Sequence, residues 1–239
     1  MQVNLGCKET YLVLNRYLEY YLFTVFLEIG MKRLVLVVAS ATVLAGCATN
    51  VNRSAVLAEL PGVTYAEDSP GWFTVKEFSF DLPKSKASKD QLALCLTDNL
   101  HVSDVRLSDG ASSFYGYASQ KYYNIGSSEV VAGESVLQYV ADDGSGAVAR
   151  GQMDYTFSTS GGLIAVPIKY IVRFTVKYKR TQEQDQFVFH NIQAAQTYSG
   201  SMPNSGFGPL TDLEMFYPEK AYIGMEKIAK QLNTCFRQG

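Results

Sequence analysis

The chain predicts an α+β domain, an antiparallel β-sheet meander covered on one face by two helices, and three patterns carry that expectation. Ile168, Tyr170, Val172, Phe174, Val176 and Tyr178 alternate with Lys169, Arg173, Thr175, Lys177 and Lys179, the period-two signature of a strand with one buried and one wet face. Ala221, Met225, Ile228, Leu232 and Cys235 recur at spacings of three and four after Pro218, a proline suited to the first turn of a helix. Ser88-Lys89-Asp90-Gln91 has the form of a capping box, and Leu92, Cys95, Leu96 and Leu100 follow it at helical spacing.

The N-terminal residues belong to a different kind of segment. Tyr11 to Leu27 looks apolar, but Asn15, Arg16 and Glu19 break it, and the uncharged remainder Tyr20–Leu27 is far short of the roughly 20 residues a spanning helix needs. Residues 1–30 therefore read as a leader ahead of the true start at Met31, where a complete export signal begins. That signal has a basic pair, Lys32-Arg33, an apolar run from Leu34 through Ala45, and small residues before Cys47. Leu44-Ala45-Gly46-Cys47 resembles the lipobox of bacterial lipoproteins. The resemblance implies a diacylglyceryl thioether on the Cys47 sulfur, cleavage between Gly46 and Cys47, and acylation of the new amine. Ala48 and Thr49 follow Cys47, with no Asp directly after it. By the family's enteric-type sorting this implies the outer membrane, with the domain facing the periplasm.

Cleavage before Cys47 leaves 193 residues with 17 Lys+Arg against 20 Asp+Glu, ample for a sizeable core and without the basic bias of a nucleic-acid binder. Residues 47–70 contain Asn50, Asn52, Ser54, Pro61-Gly62 and Ser69-Pro70 with little periodicity, and they read as the lipidated Cys and a tether. The periplasmic α+β domain is then expected over 71–239. Within it, Trp72–Leu82 reads as a strand closed by Pro83, and Ala147, Ala149, Met153, Tyr155 and Phe157 share the inner face of another. Asp142-Asp143-Gly144-Ser145-Gly146 and Ser160-Gly161-Gly162 punctuate these runs at hairpin spacing. Phe187–Ala195 is the last long strand before the Gly/Pro/Ser-rich stretch Tyr198–Pro209. This element order resembles small bacterial domains with the topology of half a TATA-binding protein or of a helix-grip fold. The resemblance covers Gly71–Gly239 by order alone.

Cys95 and Cys235 lie on the apolar stripes of the two expected helices, in a compartment where disulfides form. A disulfide between them is expected, with two buried free thiols as the alternative. Two His and no Cys-x-x-Cys give no spacing for a metal site, and neither metal nor cofactor is expected. Gly133-Glu134-Ser135-Val136-Leu137 starts like a nucleophile elbow but has Leu where the closing Gly belongs. The expectation is a non-enzymatic lipoprotein that holds the membrane through Cys47 and binds an envelope protein partner or supports an envelope assembly.

Two surfaces are candidates for recognition. Phe114-Tyr115-Gly116-Tyr117 through Lys121-Tyr122-Tyr123-Asn124 combines rigid aromatics with small polar residues, as recognition loops do. Tyr115, Tyr117, Tyr122 and Tyr123 are its contact candidates. The loop Ser199–Leu210 exposes Met202, Pro203, Phe207 and Pro209 in its simplest reading, and Phe207 is its candidate. The rival reading is a small-ligand or glycan binder, with a cavity between helix and sheet and the four tyrosines near its mouth.

Overall fold

The computed structural model describes residues 52–69, 71–160 and 165–238. The leader, the export signal, the lipobox and the tip of the turn after Ser160 lie outside these residues. The elements in chain order are α1 (Ala55–Glu59), β1 (Val63–Ser69), β2 (Trp72–Pro83), α2 (Lys89–Asn99), β3 (Val105–Ser108), β4 (Phe114–Gly116), β5 (Lys121–Tyr123), β6 (Ser128–Val131), β7 (Leu137–Val140), β8 (Gly146–Ser160), β9 (Ala165–Arg180), β10 (Gln184–Gln196), β11 (Gly208–Pro209), a 3₁₀ turn (Glu214–Phe216) and α3 (Pro218–Arg237). Among the described residues no helix is long and apolar enough to cross a membrane.

The main sheet has the order β1-β2-β10-β9-β8-β7, antiparallel throughout, with β11 beside the far half of β10. The long strands are those whose sequences alternate. In β9, Val172, Phe174, Val176 and Tyr178 are buried while Lys169, Lys177 and Lys179 are exposed. β8 pairs with β9 from Gly146↔Lys179 to Ser160↔Ala165 without a register shift. The β7–β8 turn is the Asp142–Ser145 stretch, with Gly144 at φ +68° and its N–H bonded to Ala141 O at 3.0 Å. Glycine takes that left-handed conformation without steric cost.

Both longer helices bury against one face of this sheet. Ser88 Oγ accepts the Gln91 N–H at 3.3 Å and opens α2, which turns Leu92, Cys95 and Leu96 inward. Pro218 opens α3, and Ala221, Met225, Ala229, Leu232 and Phe236 are wholly buried. They meet an aromatic layer in which Tyr178 and Phe236 lie 5.0 Å apart edge to face and Phe174 and Phe189 5.1 Å apart. Such pairs add roughly 0.5–1.5 kcal/mol each beyond the area they bury. Cys95 and Cys235 form a disulfide across α2 and α3, with Cα atoms 5.9 Å apart.

Two parts of the molecule differ from the sequence expectation. The stretch read as a tether up to residue 70 folds onto the domain from Asn52. Arg53 donates to the Asp212 carboxylate, and its guanidinium sits 4.0 Å from the Phe73 ring centre and 5.1 Å from that of Tyr65. Ser54 Oγ accepts the Leu57 N–H at 3.1 Å and starts the single turn of α1, whose Leu57 is fully buried. Burying that side chain contributes about 1.5–3 kcal/mol. β1 then pairs with β2 as the edge strand. Linker-like residues here are turn residues: Gly62, at φ +72°, lies against Ser79, where an added Cβ would stand 2.1 Å from the Ser79 carbonyl oxygen.

The second difference is the sheet face expected to be wet. β3 and β6 pair into a separate ribbon across it, and Val105 and Leu107 cover Ile171 and Ala195 in a small second core. Arg173, which reads in sequence as one of a solvated basic row, is the fastener. Its guanidinium donates to the carbonyls of Ser103, Val131 and Ala132 at 3.0–3.2 Å and to Gln152 Oε1 at 3.3 Å. Lys169, Lys177 and Lys179 on the same face do remain exposed.

The strand registers define two ends of the sheet. At one, β2 ends at Pro83 opposite Gln184, β9 ends at Arg180 and β8 begins at Gly146. At the other lie Trp72, the last residues of β10, the 3₁₀ turn and Asn52, whose carbonyl accepts the Glu214 N–H at 3.0 Å. The described chain therefore starts at this second end.

Candidate docking surface

The stretch between β3 and β6 leaves the domain through a tightly bonded base. Asp109 accepts the Ser127 hydroxyl and the backbone N–H groups of Asn204 and Ala111, both at 3.0 Å. These bonds, with that from Ser127 the largest influence, hold its carboxyl down at about 2. Gly110 N–H donates to Gly200 O at 2.7 Å, and Asn204 Nδ2 donates to Gln196 O at 2.8 Å and to Ser108 O at 3.2 Å. The base is thereby fixed beside the end of β10, at the end of the sheet where the described chain starts.

Above that base, β4 and β5 form a two-stranded hairpin that pairs with nothing else. Period-two geometry puts Phe114 and Tyr123 on one side and Tyr115 and Tyr122 on the other, with Tyr117 in the turn after β4. Phe114 stacks on Tyr123 with centroids 5.1 Å apart, and Tyr115 meets Tyr117 edge to face at 5.5 Å. The tip is closed by Ser119, whose hydroxyl donates to Gly116 O and accepts from Tyr123 OH, and by Gln120 at φ 51°. Gly116 leaves room for these contacts: an added Cβ would fall 2.7 Å from Ser119 Oγ and 2.8 Å from the Tyr123 ring, and those exposed side chains would have to shift.

Exposure is what makes this hairpin unusual: Phe114 52%, Tyr115 48%, Tyr117 89%, Tyr122 66% and Tyr123 40%. Ile125 and Val130 next to it are 50% and 54% exposed. Exposed apolar side chains of this kind make the hairpin the candidate interaction surface. The four tyrosines expected from sequence are thus brought together, and Phe114 joins them. Its aromatic type in the same run was the available signal.

Phe207 does not belong with them. Its ring lies under the Arg173 guanidinium at 4.7 Å and packs on the second core, because the chain after Asn204 turns back to form β11 against β10. In the same loop Met202 stays 70% exposed. The loop borders a groove of about 380 Å³ lined by Tyr155, Tyr170, Met202, Asn204 and Phe216 among others, and by none of the hairpin tyrosines. The cavity foreseen between helix and sheet is filled instead by Leu92, Leu96, Met225 and Leu232, each at most 1% exposed. Tyr155 and Tyr170 stack at 5.6 Å within the groove wall, and burial pushes both phenols up.

The remaining buried polar groups serve the scaffold. Asp185, with no exposed surface, accepts the Ser85 N–H at 3.0 Å and lies 4.0 Å from Arg180, which itself donates to Ala87 O at 2.8 Å. This cluster ties the β2–α2 connection to the far end of the sheet. His101 is exposed and His190 half-buried within β10. Among the described residues no group of three or more His, Cys, Asp or Glu side chains is placed to hold a metal ion.

No protein-family model matches the chain, and no curated protein matches it. Among solved structures it is similar to a DUF4468 family protein from Bacteroides ovatus ATCC 8483, at 10% identity and a TM-score of 0.38 over 74% of this chain and 91% of that one.

Proposed function

We propose that this chain is a lipid-anchored exported protein of the outer membrane whose periplasmic domain is a docking module of the cell envelope and does not work as an enzyme. The anchoring half of the reading rests on Leu44-Ala45-Gly46-Cys47 and the basic and apolar segments before it. The docking half rests on one observation: a hairpin with five exposed aromatic rings and none of its own domain's strands paired to it. Aromatic side chains supply large contact area at low entropic cost, which suits such a surface to recognition.

The test is photo-crosslinking in the native host from position Tyr122, with Phe207 as the control whose ring is packed within the domain. A discrete envelope adduct from Tyr122 that Phe207 does not give supports docking through the hairpin. Identical background from both positions defeats it.

A second reading is favoured by the groove between the Ser199–Leu210 loop and the Tyr155–Tyr170 stack, where aromatic faces and Asn204 would suit a sugar ring. Calorimetric titration with disaccharide fragments of cell-wall glycan tests it. Heat that vanishes in Tyr170→Ala supports a glycan subsite, and no heat at millimolar fragment removes it.

A further inference from the structure

We infer that the β4–β5 hairpin docks onto the lipid bilayer itself, as a second membrane contact beside the Cys47 anchor. This rests on the lipoprotein reading above. Four observations converge on it.

The first is placement. The hairpin's base is bonded to Thr197, Gly200 and Asn204, at the same end of the sheet where the chain enters through Asn52. The second is reach. Arg53 is clamped by Asp212, Phe73 and Tyr65, so six residue steps separate Cys47 from the held Arg53. At roughly 3.3–3.6 Å per residue those steps span at most about 22 Å. A lipid on Cys47 therefore holds this end of the domain close to the headgroups. The sequence expectation of a tether up to residue 70 would have allowed several times that distance.

The third is the arrangement of the aromatic residues. Phe114 and Tyr123 occupy one side of the ribbon, Tyr115 and Tyr122 the other, and Tyr117 meets Tyr115 from the turn, all of them exposed. A flat protein surface would cover one side and leave the other in water. A ribbon dipped into the interfacial zone satisfies both, and tyrosine is the residue type enriched at that depth because its ring is apolar and its hydroxyl polar. The fourth is charge. Between Asp109 and Glu129 the sole charged residue is Lys121, at the start of β5. A segment without carboxylates and with one lysine fits an anionic headgroup layer, to which a nearby basic residue adds attraction.

Trp72 lies at the same end and is 50% exposed. As the chain's single tryptophan it reports the approach of this end to lipid without labelling.

The experiment uses the full lipidated chain, purified from membranes and reconstituted into vesicles of equal parts phosphatidylethanolamine and phosphatidylglycerol. Mass spectrometry of the Cys47 peptide comes first, since absence of the diacylglyceryl mass overturns the lipoprotein reading and the inference with it. With the anchor confirmed, Tyr117→Cys carries an environment-sensitive fluorophore, and Glu183→Cys at the opposite end carries the same dye as a control. Tyr117 is 89% exposed, so the substitution removes its edge-to-face contact with Tyr115 and leaves the buried core untouched. Insertion predicts a blue shift, quenching by brominated lipid and protection from aqueous iodide at position 117, with the reverse at 183. Trp72 is also quenched by brominated lipid. A dye at 117 that iodide quenches as freely as the one at 183, on a chain whose anchor is intact, overturns the hairpin's membrane contact alone. Capture of one recurrent protein from Tyr122 in cells, with no lipid adduct, overturns it as well.

Discussion

Replacing Arg53 by alanine tests whether the segment before β1 belongs to the domain. In the folded protein the Asp212 side chain is 3% exposed and Arg53 is its charged partner, while Asp212 Oδ1 has no hydrogen bond. Arg53→Ala leaves a buried carboxylate without its donor, which costs about 1–3 kcal/mol in desolvation. Loss of the stacking on Phe73 and Tyr65 adds roughly 0.5–1 kcal/mol for a cation that is itself 44% exposed. The expected destabilisation, discounted for Arg53's exposure, is therefore about 1–3 kcal/mol. Equilibrium urea unfolding followed by circular dichroism measures it. Asp212→Asn in the Arg53→Ala background removes the unpaired charge, and roughly half of the loss should return. A change below about 0.5 kcal/mol in Arg53→Ala, the range of an ordinary surface substitution, refutes the clamp. So does a double variant no more stable than the single one. In either case Arg53 does not limit the reach from Cys47, and the hairpin is not held near the bilayer by a short connection.

The other predictions probe separate parts of the fold. Replacing both Cys95 and Cys235 by alanine opens a loop of sequence separation 140 and is expected to lower stability by up to about 5 kcal/mol on the chain-entropy model, read from the same urea curves. Gly62→Ala should be severely destabilising, seen as a large fall in Tm, because its Cβ would enter the Ser79 carbonyl at a left-handed backbone position. The Asp109 carboxyl lies at about 2 against an ordinary 3.8, so the stability it lends the hairpin base is present above 3.8 and lost as pH falls toward 2. Hydrogen exchange at the Asn204 and Ala111 amides should accelerate over that window, and Asp109→Asn should abolish the pH dependence. Tyr115→Ala with Tyr122→Ala should change unfolding stability by roughly 0.5 kcal/mol or less, since both rings are exposed, while removing the crosslink or lipid contact.

What the sequence alone determined was whatever is written in local periodicity. The alternation of Ile168–Lys179, the capping box at Ser88 and the stripe after Pro218 each specify an element through residues a few positions apart, and the structure has all three where those signals place them. Cysteines on two apolar stripes foretold the disulfide, and the tyrosine-rich run singled out the stretch whose rings are exposed, though not its hairpin. Tertiary structure decided the rest. Arg53 meets Asp212 across 159 positions, Ser108 is bonded to Thr197 across 89, and Phe207 lies under Arg173 only because the chain returns as β11. The Asn, Ser, Pro and Gly residues of 50–70 carry the composition of a linker whether the chain folds back or hangs free. That the segment from Asn52 folds back depends on an edge of β2 and a carboxylate supplied by distant strands and turns. Long-range pairing has no period of its own in the sequence, because the free energy that fixes it comes from surfaces that exist only after the sheet has formed.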